Sequence, residues 1–267
     1  WGVNTYGQLG TNDTLFKSSP VQIGVGYSWN MVEIGDNNNA AAIRSDGLLF
    51  TWGYNYWGNG VDAIKAYSSP VQVGTSSWSM VSAGDTYLAI RSDGLLFGWG
   101  YDGSGKIGNN DSTYPYFNAS PIQVGSYTWS KVITGSVGIR SDGTLWSWGF
   151  WSGDGAGVDR SSPVQVGAST WLNVWRVNSS GTTHALRSDG TLWGWGYNAL
   201  GSLGDGTTAS RSSPVLISSR SWKHITSDAY MTYGLRDDNY LFNWGSISTN
   251  DISLLPKKTP ASWAKMY

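Results

Sequence analysis

The chain has 267 residues, a formal charge of −1, no cysteine and only 13% charged residues, against roughly 25% in ordinary globular domains. That balance supplies no basic face for nucleic acid, and the lack of cysteine excludes disulfides and thiolate metal sites. No apolar run approaches the roughly 20 residues of a membrane helix, while seventeen Trp and fifteen Tyr beside a single Glu indicate an aromatic, β-rich body.

From the N-terminus, Trp1-Gly2 is followed by the loop Tyr6-Gly7-Gln8-Leu9-Gly10, a proline-opened piece at Pro20 and a tryptophan-opened piece at Trp29. Arg44-Ser45-Asp46-Gly47 then leads to Trp52-Gly53. This cassette returns as Arg91-Ser92-Asp93-Gly94 to Trp99-Gly100, Arg140-Ser141-Asp142-Gly143 to Trp148-Gly149, and Arg187-Ser188-Asp189-Gly190 to Trp195-Gly196. A drifted copy, Arg236-Asp237-Asp238-Asn239, leads to Trp244-Gly245. Successive arginines lie 47, 49, 47 and 49 residues apart. A fixed period of this size marks units that bury their apolar faces only by packing on one another.

The second full unit shows the expected elements. Ser69-Pro70-Val71-Gln72-Val73-Gly74 alternates like an edge strand, and Trp78-Ser79-Met80-Val81 alternates again. Tyr87 to Arg91 and Leu95 to Trp99 flank an Asp-Gly hairpin signal. Four short strands in 40–50 residues predict a β-propeller of four-stranded blades, in preference to a β-solenoid. About six repeats are visible, implying six or seven blades in the parent ring. The whole of 1–267 reads as a single domain with repeats ending near Trp52, Trp99, Trp148, Trp195 and Trp244, plus an incomplete unit over 245–267. Trp1 reads as the end of a missing strand, and the last unit stops at Tyr267 before any hairpin, so an ordered core of a longer protein is expected. An intact native mass of 28.9 kDa would contradict that expectation.

The run Ala185-Leu186-Arg187-Ser188-Asp189-Gly190-Thr191-Leu192-Trp193-Gly194-Trp195-Gly196-Tyr197-Asn198, continuing to Gly201-Ser202-Leu203-Gly204-Asp205-Gly206-Thr207, resembles the regulator of chromosome condensation repeat. The resemblance spans essentially the whole chain and implies a β-propeller, commonly seven-bladed. The Ser-Pro-Val-Gln-Val and Arg-Ser-Asp-Gly-Thr-Leu-Trp spellings look like bacterial and phage-encoded members. The group includes the secreted β-lactamase inhibitor protein II, which binds its target through aromatic residues on one propeller face. The nucleotide-exchange activity of the eukaryotic members is not carried over: the chain has no basic tail, and His184 is the sole remnant of their Gly-x-x-His element.

Chemistry is sparse. His184 and His224 read as structural strand residues, and Asp and Asn-rich loops such as Asn109 to Asp111 read as turns, because no calcium-loop ladder is present. No catalytic residue, metal or cofactor is expected. The loops between each Trp-Gly and the next proline vary most and carry extra aromatics: Tyr54, Tyr56 and Trp57 in one, Tyr114, Tyr116 and Phe117 in the longest, Phe150 and Trp151 in the shortest. Variable loops on a rigid scaffold are where binding surfaces form, and Tyr and Trp dominate contact hot spots. These eight residues are therefore the candidate interaction positions. The expected role is a non-enzymatic protein-interaction or structural module, in a phage virion or other large assembly. The alternatives are a secreted inhibitor-like binder and a carbohydrate-binding propeller. Protein partners are expected, with no nucleic acid or membrane, and the favoured location is extracellular or virion.

Overall fold

A computed structural model describes residues 1–35, 37–61, 65–111, 116–177, 180–228, 230–246 and 252–259. Tyr114, Pro260 and Trp263 fall outside these residues. The described chain is built of antiparallel strands, with one short 3-10 turn at Gly103–Gly105 and no helix long and apolar enough to cross a membrane. The strands are β1 (Trp29–Ile34), β2 (Asn39–Arg44), β3 (Leu48–Gly53), β4 (Tyr67–Ser82), β5 (Thr86–Arg91), β6 (Leu95–Tyr101), β7 (Phe117–Ile133), β8 (Val137–Arg140) and β9 (Thr144–Gly149). After these come β10 (Arg160–Arg176), β11 (Thr183–Arg187), β12 (Leu192–Gly196), β13 (Arg211–Ser218), β14 (Trp222–Ser227), β15 (Met231–Arg236), β16 (Leu241–Gly245) and β17 (Ser253–Lys258).

The chain divides into two compact units. The first comprises Trp1–Ser141 with Trp148–Phe150 and Asp159–Pro163, and in it β1 to β8 pair successively. The second comprises Asp142–Ser147, Trp151–Val158 and Val164–Tyr267; it holds the successive pairing of β11 to β13 and a four-stranded sheet of β14 to β17.

The proline piece and the tryptophan piece, separate strands by sequence, are one continuous element in β4, β7 and β10. The two halves have different partners. Val71 and Gln72 of β4 pair backwards with Thr51 and Phe50, whereas Trp78 to Ser82 pair forwards with β5. Ser77 still pairs backwards, with Leu48, so the change of partner falls between Ser77 and Trp78; Gly74, at φ 59°, lies in the irregular stretch between Gln72 and Ser77 where the backward register shifts.

Each cassette closes a hairpin. The Gly47 amide donates to the Arg44 carbonyl at 2.9 Å, and Gly47 takes φ 88°. In the drifted copy Asn239 accepts the same role at φ 67°, as asparagine tolerates better than other side chains. The arginine makes two contacts in the folded hairpin. Arg44 Nη2 pairs with Asp46 at 2.7 Å and its guanidinium lies 5.0 Å over the Phe50 ring on the returning strand; Arg91 repeats this with Asp93 at 2.6 Å and Phe97 at 4.8 Å.

The terminal tryptophans Trp52, Trp99, Trp148, Trp195 and Trp244 are buried, as are Trp78, Trp129, Trp171 and Trp222. Backbone crowding requires glycine after four of the terminal tryptophans, at Gly53, Gly100, Gly196 and Gly245: a Cβ on Gly196 would lie 2.1 Å from the Gly181 carbonyl oxygen. Units pack nearest-neighbour fashion. Val81 of β4 is buried with Ala41, Ile43 and Leu49 of the preceding hairpin. Val81, Val132 and Val174 are 0% exposed and Ile225 is 1%, yet Val32, at the same place in the first unit, is 60% exposed.

Candidate interaction surface

Four of the variable loops begin from a buried polar residue three positions after the terminal Trp: Asn4, Asn55, Asp102 and Asn198. Asn198 shows how it works: its Oδ1 accepts the Leu203 amide at 2.9 Å, and its Nδ2 donates to the Asp205 carboxylate at 3.1 Å and to the carbonyls of Thr207 and Ala209. One side chain thereby ties both ends of the loop. Asn4 does the same with the Leu9 amide at 2.9 Å, the Asp13 carboxylate at 3.1 Å and the Asp13 carbonyl at 2.9 Å. The loop also caps the next cassette: the indole N–H groups of Trp52, Trp148 and Trp244 donate to the carbonyls of Gln8, Lys106 and Ser202 at 3.0, 2.8 and 2.8 Å.

On this base stands a row of aromatic rings. Tyr6 meets Tyr54 at 4.8 Å between centroids, and Tyr54 stacks on Tyr56 at 6.3 Å with 13° between planes. Tyr56 meets Trp57 edge-on at 4.5 Å, and Trp57 meets Tyr101 at 4.8 Å and Phe117 at 6.4 Å. Such offset and edge-on pairs each contribute on the order of 0.5–1.5 kcal/mol beyond area burial. They hold rings that stay open to solvent, since Tyr6 is 43% and Tyr56 48% exposed.

Backbone bonds fix the loops beneath. The Tyr54 amide donates to Asn38 O at 2.9 Å, the Tyr101 amide to Asp85 O at 2.8 Å, and the Asp102 amide to Tyr116 O at 2.8 Å. A cavity of ≈ 10 Å³ lies beside the row, between Asn39, Asp85, Tyr87 and the segment Tyr54–Gly58. That is the volume of about one water.

The structure thus brings four of the eight sequence candidates together: Tyr54, Tyr56, Trp57 and Phe117. Tyr116 is 47% exposed at the end of the same loop, and Tyr114 lies outside the described residues. Phe150 and Trp151 take no part in the five ring contacts of the row. Trp151 has φ 54°, and its carbonyl accepts from Arg176 Nη1 at 3.2 Å. Sequence reasoning missed Tyr6 and Tyr101. The signal was available: an aromatic stands two residues after the terminal Trp at Tyr54, Tyr101, Phe150 and Tyr197, so Tyr54 and Phe150 belong to a repeated position.

The titratable residues serve the scaffold. His184 is buried, with Nε2 3.1 Å from the Leu203 carbonyl, so Nε2 carries the proton and donates; burial lowers its pKa to about 4. Asp205 pairs with Arg211 at 2.7 Å. Among the described residues, no three His, Cys, Asp or Glu side chains stand close enough to share a metal ion.

Successive antiparallel strand pairing in repeated cassettes defines a repeat β protein of the propeller class. Residues 189–230 match the Regulator of chromosome condensation (RCC1) repeat. Yeast RCC1 (Prp20), solved bound to Kap60, is similar over 98% of this chain and 71% of its own, with TM-score 0.80 and 17% identity. Human WBSCR16 is similar over 97% of this chain and 75% of its own, with TM-score 0.77 and 17% identity. No curated protein sequence matches the chain. The fold is that of an RCC1-like β-propeller, with an RCC1 repeat in its fourth cassette.

Proposed function

We propose that the chain is a non-enzymatic protein-interaction module whose partner seats on the Tyr6–Tyr54–Tyr56–Trp57–Tyr101–Phe117 row. The observation that carries this reading is the row itself: six rings linked in series by five contacts, with Tyr6 and Tyr56 open to solvent. Rigid amphipathic rings offer large contact area at small entropic cost, which is why Tyr and Trp concentrate binding energy in protein interfaces. The yeast homologue solved with Kap60, and a second study of Prp20p concerned with binding to Gsp1p and histones, support a protein as the partner class. The formal charge of −1 favours an apolar, aromatic contact over an electrostatic one. The setting we favour is a phage virion or comparable assembly, with a secreted inhibitor-like binder as the second setting.

The test is native size fractionation of the source material, followed by capture with the wild-type chain and with Tyr56→Ala/Trp57→Ala. A partner retained by the wild type and lost by the folded variant supports the reading. Equal retention by both would place the contact elsewhere, and retention of a glycan in place of a protein would replace the partner class.

A further inference from the structure

Successive repeats mate through fixed positions. Ala41, Ile43 and Leu49 of the β2–β3 hairpin stand three and one residues before Arg44 and five after it, and they are buried with Val81 and Ala83 of the next repeat. Val81 and Ala83 stand three and five residues after Trp78. Leu192, five residues after Arg187, is buried in the same way with Trp222 and Ile225. Each such contact has two halves, a hairpin face and a strand face.

Among the described residues, the first and last repeats each show one half open to solvent. In β1, Val32 and Ile34 hold the places of Val81 and Ala83, yet they are 60% and 78% exposed. With Trp1, Val21, Ile23 and Trp52 they line a groove of ≈ 320 Å³. In β15 and β16, Tyr233, Leu235 and Leu241 hold the places of Ala41, Ile43 and Leu49. Tyr233 is 43% and Leu241 41% exposed, whereas Ala41 and Leu49 are fully buried. Tyr240 is not part of this face: its ring lies under Lys258 Nζ at 3.2 Å.

Terminal repeats of such arrays ordinarily present a polar outer face, and contiguous exposed apolar surface marks a contact site. Here both terminal faces are apolar, and they are opposite halves of one kind of contact. A hairpin face of this repeat is what a strand face of this repeat is shaped to meet, and one chain carries one of each.

We propose that the chain binds a second copy of itself head to tail, the Tyr233, Leu235 and Leu241 face of one copy seating on the Val32 and Ile34 face of the next. Because the two faces differ, the contact is heterologous: a copy that gives one face keeps the other open, and association continues unless a ring closes. None of the six rings of the aromatic row belongs to either face, so the inference does not rest on that row.

The test is sedimentation of the chain from about 1 to 100 µM, as wild type, as Val32→Lys/Ile34→Lys and as Tyr233→Lys/Leu241→Lys. The added charges have one sign, so the two altered faces repel each other. The wild type should show a mean mass that climbs with concentration above 28.9 kDa, and each variant alone should stay at 28.9 kDa. An equimolar mixture of the two variants should form a dimer and nothing larger, since it holds one intact face of each kind. A wild type that stays at 28.9 kDa, variants that associate as the wild type does, or a mixture that does not recombine overturns the proposal. The altered positions are open to solvent, and thermal melting checks that each variant is folded. If one is not, the other decides alone: its association refutes the proposal and its loss of association supports it. No arm alters a ring of the aromatic row, so failure of that contact surface and failure of this association are read separately.

Discussion

The loop from Tyr54 to Val61 and the loop from Tyr197 to Asp205 start identically, with Trp-Gly-Tyr-Asn, and then diverge. In the second, Gly201-Ser202-Leu203-Gly204 buries Leu203 completely and offers the Ser202 carbonyl to the Trp244 indole. In the first, Gly58-Asn59-Gly60 is one residue shorter, has no leucine to bury, and leaves the Trp99 indole N–H buried without an acceptor. What it has instead is Tyr56-Trp57, the centre of the aromatic row. The shorter loop exchanges a buried leucine and an indole hydrogen bond for ring contacts at the surface, so the repeat keeps its frame here while its exposed chemistry changes.

The comparison can be broken at four points, from the largest effect downward. Leu203→Ala should cost about 2–5 kcal/mol in denaturant unfolding, since it empties a fully buried site that the shorter loop lacks. Trp244→Phe should cost about 1 kcal/mol more than Trp99→Phe, because only the former loses a made hydrogen bond; equal costs would show that the two indoles are equivalently satisfied. Asp102→Asn should stabilise the chain by about 1 kcal/mol at pH 7.5 and by little at pH 4, as it removes a buried acid whose ionised form is disfavoured. Tyr56→Ala should change stability by less than about 1 kcal/mol, as expected for a half-exposed ring, while weakening partner capture. Thermal melts at the two pH values check the third, and paired melting and capture assays check the fourth.

Much of the fold was legible because its signals are local. Asp46-Gly47 and its copies mark hairpins whatever surrounds them, and the Trp-Gly spacing gives the period. The continuity of β4, β7 and β10 was not legible: Pro70 and Gly74 look like strand ends, and only the pairing shows that β4 runs past Gly74, staying with β3 to Ser77 before it turns to β5 at Trp78. Nor does sequence separate Val32, which is exposed, from Val81, which is buried with Ala41, Ile43 and Leu49. For the surface, the extra aromatics marked the loop where the rings gather, but ring contacts depend on Tyr6 and Tyr101 arriving from adjoining repeats, and no local pattern encodes that convergence.

The most direct test of the contact surface is photo-crosslinking from a benzophenone amino acid placed at position 56 in one variant and at position 240 in another. Tyr56 and Tyr240 are almost equally exposed, 48% and 47%, but only Tyr56 belongs to the row. The account predicts a partner adduct from position 56 and none from position 240. Adducts from position 240 alone, or from both alike, would contradict it.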